Sequence, residues 1–168
     1  MLIRPAMLSA PTTFITYIAV RRFHYRVAYG IRMHLPEGIV SGLGSIRGTQ
    51  NVDAQKKALD EVLNAIAISD RKLKTLVILR TEYLRQTLDF GRTRNKKRQY
   101  GQTLSELKTD EELFEKTPIL FDLYGCGIRM ADSDDERHEL TLIEKQLNDE
   151  FWKRPSQFEQ DLCPDIVL

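Results

Sequence analysis

Four carboxylates of this chain, Asp53, Glu82, Asp132 and Glu139, are the residues that could support metal-dependent chemistry. Phosphodiester hydrolysis by two metal ions needs negative ligands that hold the ions about 4 Å apart. These four are scattered and follow no short ligand spacing. A denser acidic group, Asp132-Ser-Asp134-Asp135-Glu136, opens a helical pattern and reads as an N-terminal cap, because carboxylates there stabilise the helix dipole. His24, His34 and His138 fall on separate elements, whereas a zinc centre needs them to converge with further ligands. Cys126 and Cys163 form neither a disulfide framework nor a metal spacing, which leaves a reducing compartment as the default. No metal and no cofactor is expected.

The second chemistry is electrostatic. A net charge of +1 conceals strong segregation. The acid-free stretch 91–105 carries Arg92, Arg94, Lys96, Lys97 and Arg98, followed by Tyr100. Cations beside an aromatic face suit phosphate neutralisation and base stacking, although a solvated turn has the same composition. Residues 1–36 hold Arg4, Arg21, Arg22, Arg26 and Arg32 with no acid, a pattern shared by mitochondrial presequences. Aromatic and β-branched residues alternate over 14–33, so a hairpin with exposed arginines is the preferred reading there. The expected location is cytoplasmic or nuclear, with mitochondrial as the alternative. No apolar run approaches the roughly 18 residues of a membrane span.

These residues must be positioned by elements that the patterning predicts. Phe14, Tyr17, Ile18 and Val20 mark a strand over 13–21. Val27, Tyr29, Ile31 and Met33 share one face of a second strand over 24–35, and Ile39–Gly44 forms a short third. Ala54, Ala58, Leu59, Val62, Leu63 and Ile66 give the stripe of a helix capped by Thr49 or Asn51. Leu76-Val-Ile-Leu79, within 72–80, suits a central strand buried on both faces. A short helix over 82–90 and a capping box at Thr109-Asp-Glu-Glu112 follow, with an interruption at Pro118. Ile128–Ala131 is a last strand, and Asp134–Phe151 a closing helix with Leu140, Ile143, Leu147 and Phe151 on one face. The expected organisation is a tail over 1–12, one domain over 13–151 and an extended tail over 152–168. The order implies α/β architecture: a mixed five-stranded sheet, three antiparallel strands and then alternating helices and strands, with helices on both faces.

Over residues 13–150 the chain resembles type 1 ribonuclease H. The likeness rests on Ala28-Tyr29-Gly30, where the family has Gly-Tyr-Gly; on Thr49-Gln-Asn51-Val-Asp-Ala54, where it has Thr-x-Asn-x-x-Glu; on Thr81-Glu82-Tyr83, near its Thr-Asp-Ser; and on the basic run ending at Tyr100. The resemblance implies a two-metal carboxylate site, and this chain departs from it. The first-strand aspartate falls on Tyr17, the first-helix glutamate on Ala54, the fourth-strand aspartate on Glu82 and the last-helix aspartate near His138. Asp53 lies one step, about 100°, around the helix from Ala54. The family's Gly-His-x-Gly segment is missing before the last helix.

The expectation is a pseudoenzyme that serves as a protein-interaction module in an RNA- or DNA-processing assembly. Phe151, Trp152 and Phe158 are the candidate partner contacts. Tyr17 is expected to fill the vacated site beneath the last helix, with its hydroxyl hydrogen-bonded. Non-cleaving binding of RNA or an RNA–DNA hybrid through Arg92–Tyr100 is the alternative, and a nuclease with the rearranged set Asp53, Glu82, Asp132 and Glu139 is the second.

Overall fold

A computed structural model describes residues 12–82, 84, 127–151 and 162–168. Five strands form one sheet: β1 (Thr12–Phe23), β2 (Arg26–Leu35), β3 (Gly38–Arg47), β4 (Leu73–Leu79) and β5 (Ile128–Met130). Two helices of the described residues pack on it, α1 (Asn51–Ile68) and α2 (Asp134–Phe151). The strand order is β3-β2-β1-β4-β5. β1 pairs antiparallel with β2 and parallel with β4, and β4 pairs parallel with β5. This is the mixed sheet expected from the order of patterns. The basic run 92–100, the helices proposed within 82–126, Trp152 and Phe158 lie outside the described residues.

Period-two alternation divides the core into two layers. Phe14, Ile18, Val27, Tyr29, Ile31 and Met33 face α1 and meet its Ala54, Ala58, Leu59, Val62, Leu63 and Ile66. Tyr17, Ala19, Ala28 and Ile78 face the other way, onto Leu140, Ile143, Leu147 and Phe151 of α2. Gly30 lets α2 come close: a Cβ there would lie 2.3 Å from Ile143 Cγ2. That methyl belongs to a β-branched side chain with one strongly preferred rotamer in a helix, so the helix itself would have to move.

Three local features differ from the patterning. The β1–β2 turn is His24-Tyr25, with His24 at φ 55, so the second strand begins at Arg26 rather than residue 24. Two-residue hairpin turns need positive φ, and a His-Tyr pair does not announce one. The N-cap of α1 is Gln50, which makes no side-chain capping bond, rather than Thr49 or Asn51. The last described residues, 162–168, return to the sheet. Leu162 and Ser45 exchange backbone hydrogen bonds of 2.8 and 3.1 Å at the β3 edge, and Ile166 and Leu168 pack against the α1 layer. Gly42 makes room for this segment, since a Cβ there would stand 2.6 Å from Pro164 Cβ.

Candidate functional site

Tyr17 stands on β1 opposite Arg32 of β2 and faces α2. Its ring is buried, 8% exposed, and meets His34 edge to face with centroids 5.1 Å apart. It therefore fills space beneath the last helix. Its hydroxyl makes no hydrogen bond among the described residues, contrary to expectation. Burial raises the phenol above its ordinary pKa, and Glu136 and Glu139 push in the same direction. The surroundings thus remain electronegative although the residue itself is neutral.

The nearby carboxylates are matched by resident cations. Arg129 of β5 donates to both Glu136 oxygens, at 2.8 and 2.6 Å, and the Asp132 amide donates to Glu136 Oε1 at 3.0 Å. Hydrogen bonding to Arg129 is the main reason the Glu136 carboxyl is held down at about 2, against the opposing effect of burial. Ser133 caps α2 by accepting from the Glu136 amide at 3.2 Å. The acidic run is thus a helix start, as its composition indicated. Glu139 Oε2 lies 3.1 Å from His34 Nε2 and 3.5 Å from Arg32 Nε.

The other family positions do not join this cluster. Ala54 is fully buried in the opposite, α1 layer. Glu82 and His138 are exposed, and so is Asp53. The described residues contain no group of three His, Cys, Asp or Glu side chains placed to hold a metal ion, so the rearranged set Asp53, Glu82, Asp132 and Glu139 does not converge. The three histidines likewise stay apart: His24 is at the hairpin tip, His34 on β2 and His138 on α2.

A cleft of about 550 Å³ opens at the carboxyl ends of the parallel strands β1 and β4, beside the first turn of α1. Open α/β sheets bind ligands at such ends. Its lining includes Ala19, Gln55, Arg80, Thr81 and Glu144. Arg80 occupies the one carboxylate among the described lining residues: Nε and Nη2 donate to Glu144 at 3.0 and 2.7 Å, and Nη2 reaches Thr141 Oγ1 at 3.1 Å. Gln55 is 3% exposed, its Nε2 approaches Thr81 Oγ1 at 3.4 Å, and its Oε1 has no partner among the described residues. Sequence reasoning missed Gln55, Arg80 and Glu144. A glutamine beside the apolar stripe of α1 was a usable signal, but an ion pair spanning 64 residues left none.

Phe151 requires a correction. It is 5% exposed and stacks on Phe23 with centroids 6.2 Å apart, so its ring serves this chain's own core rather than standing free for a partner. At the apolar end, Ile166 and Leu168 also pack against the core, while Val167 is exposed.

The fold is that of ribonuclease H. No protein-family model matches the chain, and no curated protein matches it. Solved structures do. The chain is similar to RNase H1 from the halophilic archaeon Halobacterium salinarum NRC-1, at 16% identity over 82% of this chain and 98% of that one, with a TM-score of 0.51. It is similar to the N-terminal RNase H domain of a Mycobacterium tuberculosis protein, at 12% identity over 87% and 98%, with a TM-score of 0.57. It also matches 20% of a foamy viral protease-reverse transcriptase solved in complex with an RNA/DNA hybrid, at 13% identity over 86% of this chain and a TM-score of 0.51.

Proposed function

We propose that this protein is a non-cleaving ribonuclease H-like domain, a pseudoenzyme that works by binding within a nucleic-acid-processing assembly. The observation that carries this reading is the state of the positions where the resemblance places the carboxylates. Tyr17 and Ala54 are packed non-ligands in opposite layers, and Glu82 and His138 are exposed and make no ion pair with each other. Where carboxylates do face the sheet, as at Glu136 and Glu144, guanidinium groups already neutralise them. Two-metal hydrolysis needs that negative charge for the ions.

For the bound partner, two readings stand. A protein partner would use the apolar end of the chain, where Phe151 is now accounted for by the core. Nucleic acid is favoured by a basic and aromatic surface at the β1–β2 hairpin, where Tyr25 is 79% exposed near Arg47. One experiment tests the non-cleaving reading: incubation of the full chain with an RNA–DNA hybrid in magnesium or manganese. Intact substrate is expected. Cleavage that disappears in Glu82→Gln overturns the proposal.

A further inference from the structure

A second cavity, of about 870 Å³, lies at the opposite end of α2 from Glu136. Phe23 and Phe151 line it, and Ala28 and Ser45, each 1% exposed, lie deepest. Tyr25 and Arg47 stand at the exposed rim. The hairpin tip is pinned there, because the Gly48 amide donates to the Tyr25 carbonyl at 2.7 Å. His24 takes a left-handed φ of 55, a conformation few non-glycine residues adopt, and the turn leaves the Tyr25 ring in solvent. Ser45 lines the cavity, and its buried hydroxyl has no hydrogen-bond partner among the described residues. A buried hydroxyl in that state destabilises the free protein, and a ligand that bonds to it recovers the loss.

We propose that this cavity is a nucleotide pocket that receives one unpaired base of a single-stranded nucleic acid. The proposal rests on the reading that the domain binds rather than cuts, and it names the ligand. The exposed Tyr25 ring offers a surface for a base, and every base has a face able to stack. The Ser45 hydroxyl both donates and accepts, so it suits a polar base edge of either sense. Arg47 at the rim is placed for the phosphate. The volume falls within the roughly 300–1,000 Å³ of small-ligand clefts. A base within a duplex is stacked between its neighbours and has no free face to offer Tyr25. An aliphatic peptide side chain would fill the space but leave the hydroxyl unsatisfied.

The test uses the full chain, a fluorescent short oligoadenylate and, separately, unlabelled AMP as competitor. The strand is expected to bind, and Tyr25→Ala to weaken it about tenfold or more, the order of one lost stacking contact. Ser45→Ala should weaken binding several-fold while the melting temperature stays the same or rises, an opposition that a purely structural serine would not produce. Displacement by AMP at concentrations comparable to the strand assigns the pocket to free nucleotides, and resistance to AMP assigns it to strands; both support the pocket. Failure of both probes to bind, or unchanged affinity in both variants, overturns it and leaves the non-cleaving reading standing. Hybrid cleavage by the wild-type chain would instead remove that reading without touching the pocket.

Discussion

The two ends of helix α2 face the same side of the sheet and have opposite chemistry. At its start, the carboxylates that turn inward are matched: Glu136 by Arg129, and Glu139 by Arg32 and His34. Tyr17 fills the space between them and the sheet. At its end, Phe151 and Phe23 border a cavity that holds an unpaired Ser45 hydroxyl and an exposed tyrosine. The start lies near the position where the family resemblance places chemistry; its inward carboxylates are engaged, although the Tyr17 hydroxyl and Arg32 Nε make no hydrogen bond among the described residues. The end lies where no motif pointed, and bonding capacity remains there.

Substitutions can break this contrast, beginning with the largest effect. Tyr17→Asp removes a buried ring and places a charge beside Glu136 and Glu139; a loss of about 2–4 kcal/mol is expected in denaturant unfolding. An unchanged melting temperature would show that the ring does not close this end. With Ala54→Glu added, no metal-dependent rise in stability is expected, because residues 17 and 54 lie in opposite layers; such a rise would show that the two positions do converge.

Arg129→Ala should cost about 2–3 kcal/mol near neutral pH, since Glu136 is left buried without its partner while Arg129 itself was partly exposed. The same pair predicts a pH dependence. The folded carboxyl sits at about 2, below its ordinary 4.5, so the stabilisation is fully present above about 4.5 and drains away as pH falls towards 2. Urea titrations across that window should show the wild type losing stability more steeply than Arg129→Ala. Parallel curves would refute the assignment.

Gly30→Ala tests what sets the height of α2. The added methyl meets Ile143 Cγ2, and a loss of about 1–2 kcal/mol follows from overpacking. Ile143→Val, which keeps that methyl, should not rescue it, whereas Ile143→Ala should recover part. At the open end, Tyr25→Ala should change stability by less than about 0.5 kcal/mol, as for other exposed positions, while binding falls as proposed above. A large stability loss there would mean that the ring packs rather than waits.

The elements with simple periodicity were legible in the sequence. The alternation at Val27, Tyr29, Ile31 and Met33 and the helical stripe from Ala54 to Ile66 are both buried as patterned. The limits of α2 follow from its acidic start and its apolar face. What stayed hidden depends on residues distant in sequence or on missing side chains. Arg80 and Glu144 carry no mark that they will meet. His24-Tyr25 lacks the turn residues that would have announced the hairpin tip. Ser45 resembles any strand serine until Phe23, Phe151 and Arg47 gather around it. Tyr17 is buried beneath the last helix, yet nothing local predicted that its hydroxyl would make no hydrogen bond among the described residues.

The returning C-terminal segment carries a consequence for how this sequence can drift. Gly42 and Gly44 lie on one face of an edge strand, and the absence of their side chains makes the bed on which 162–168 rests. A Cβ at Gly42 would strike Pro164, and one at Gly44 would strike the Leu162 carbonyl oxygen at 2.7 Å. Neither glycine is required there by a left-handed backbone: at Gly42 the constraint comes from the other end of the chain, whereas at Gly44 the Tyr29 side chain of β2 stands closer still than Leu162. Among natural variants, then, Gly42 and Pro164 should be inherited as a pair: lineages that enlarge residue 42 should also have lost or rebuilt the segment around 164. The β3 edge in those lineages would need another cover, because an unpaired strand edge invites intermolecular pairing.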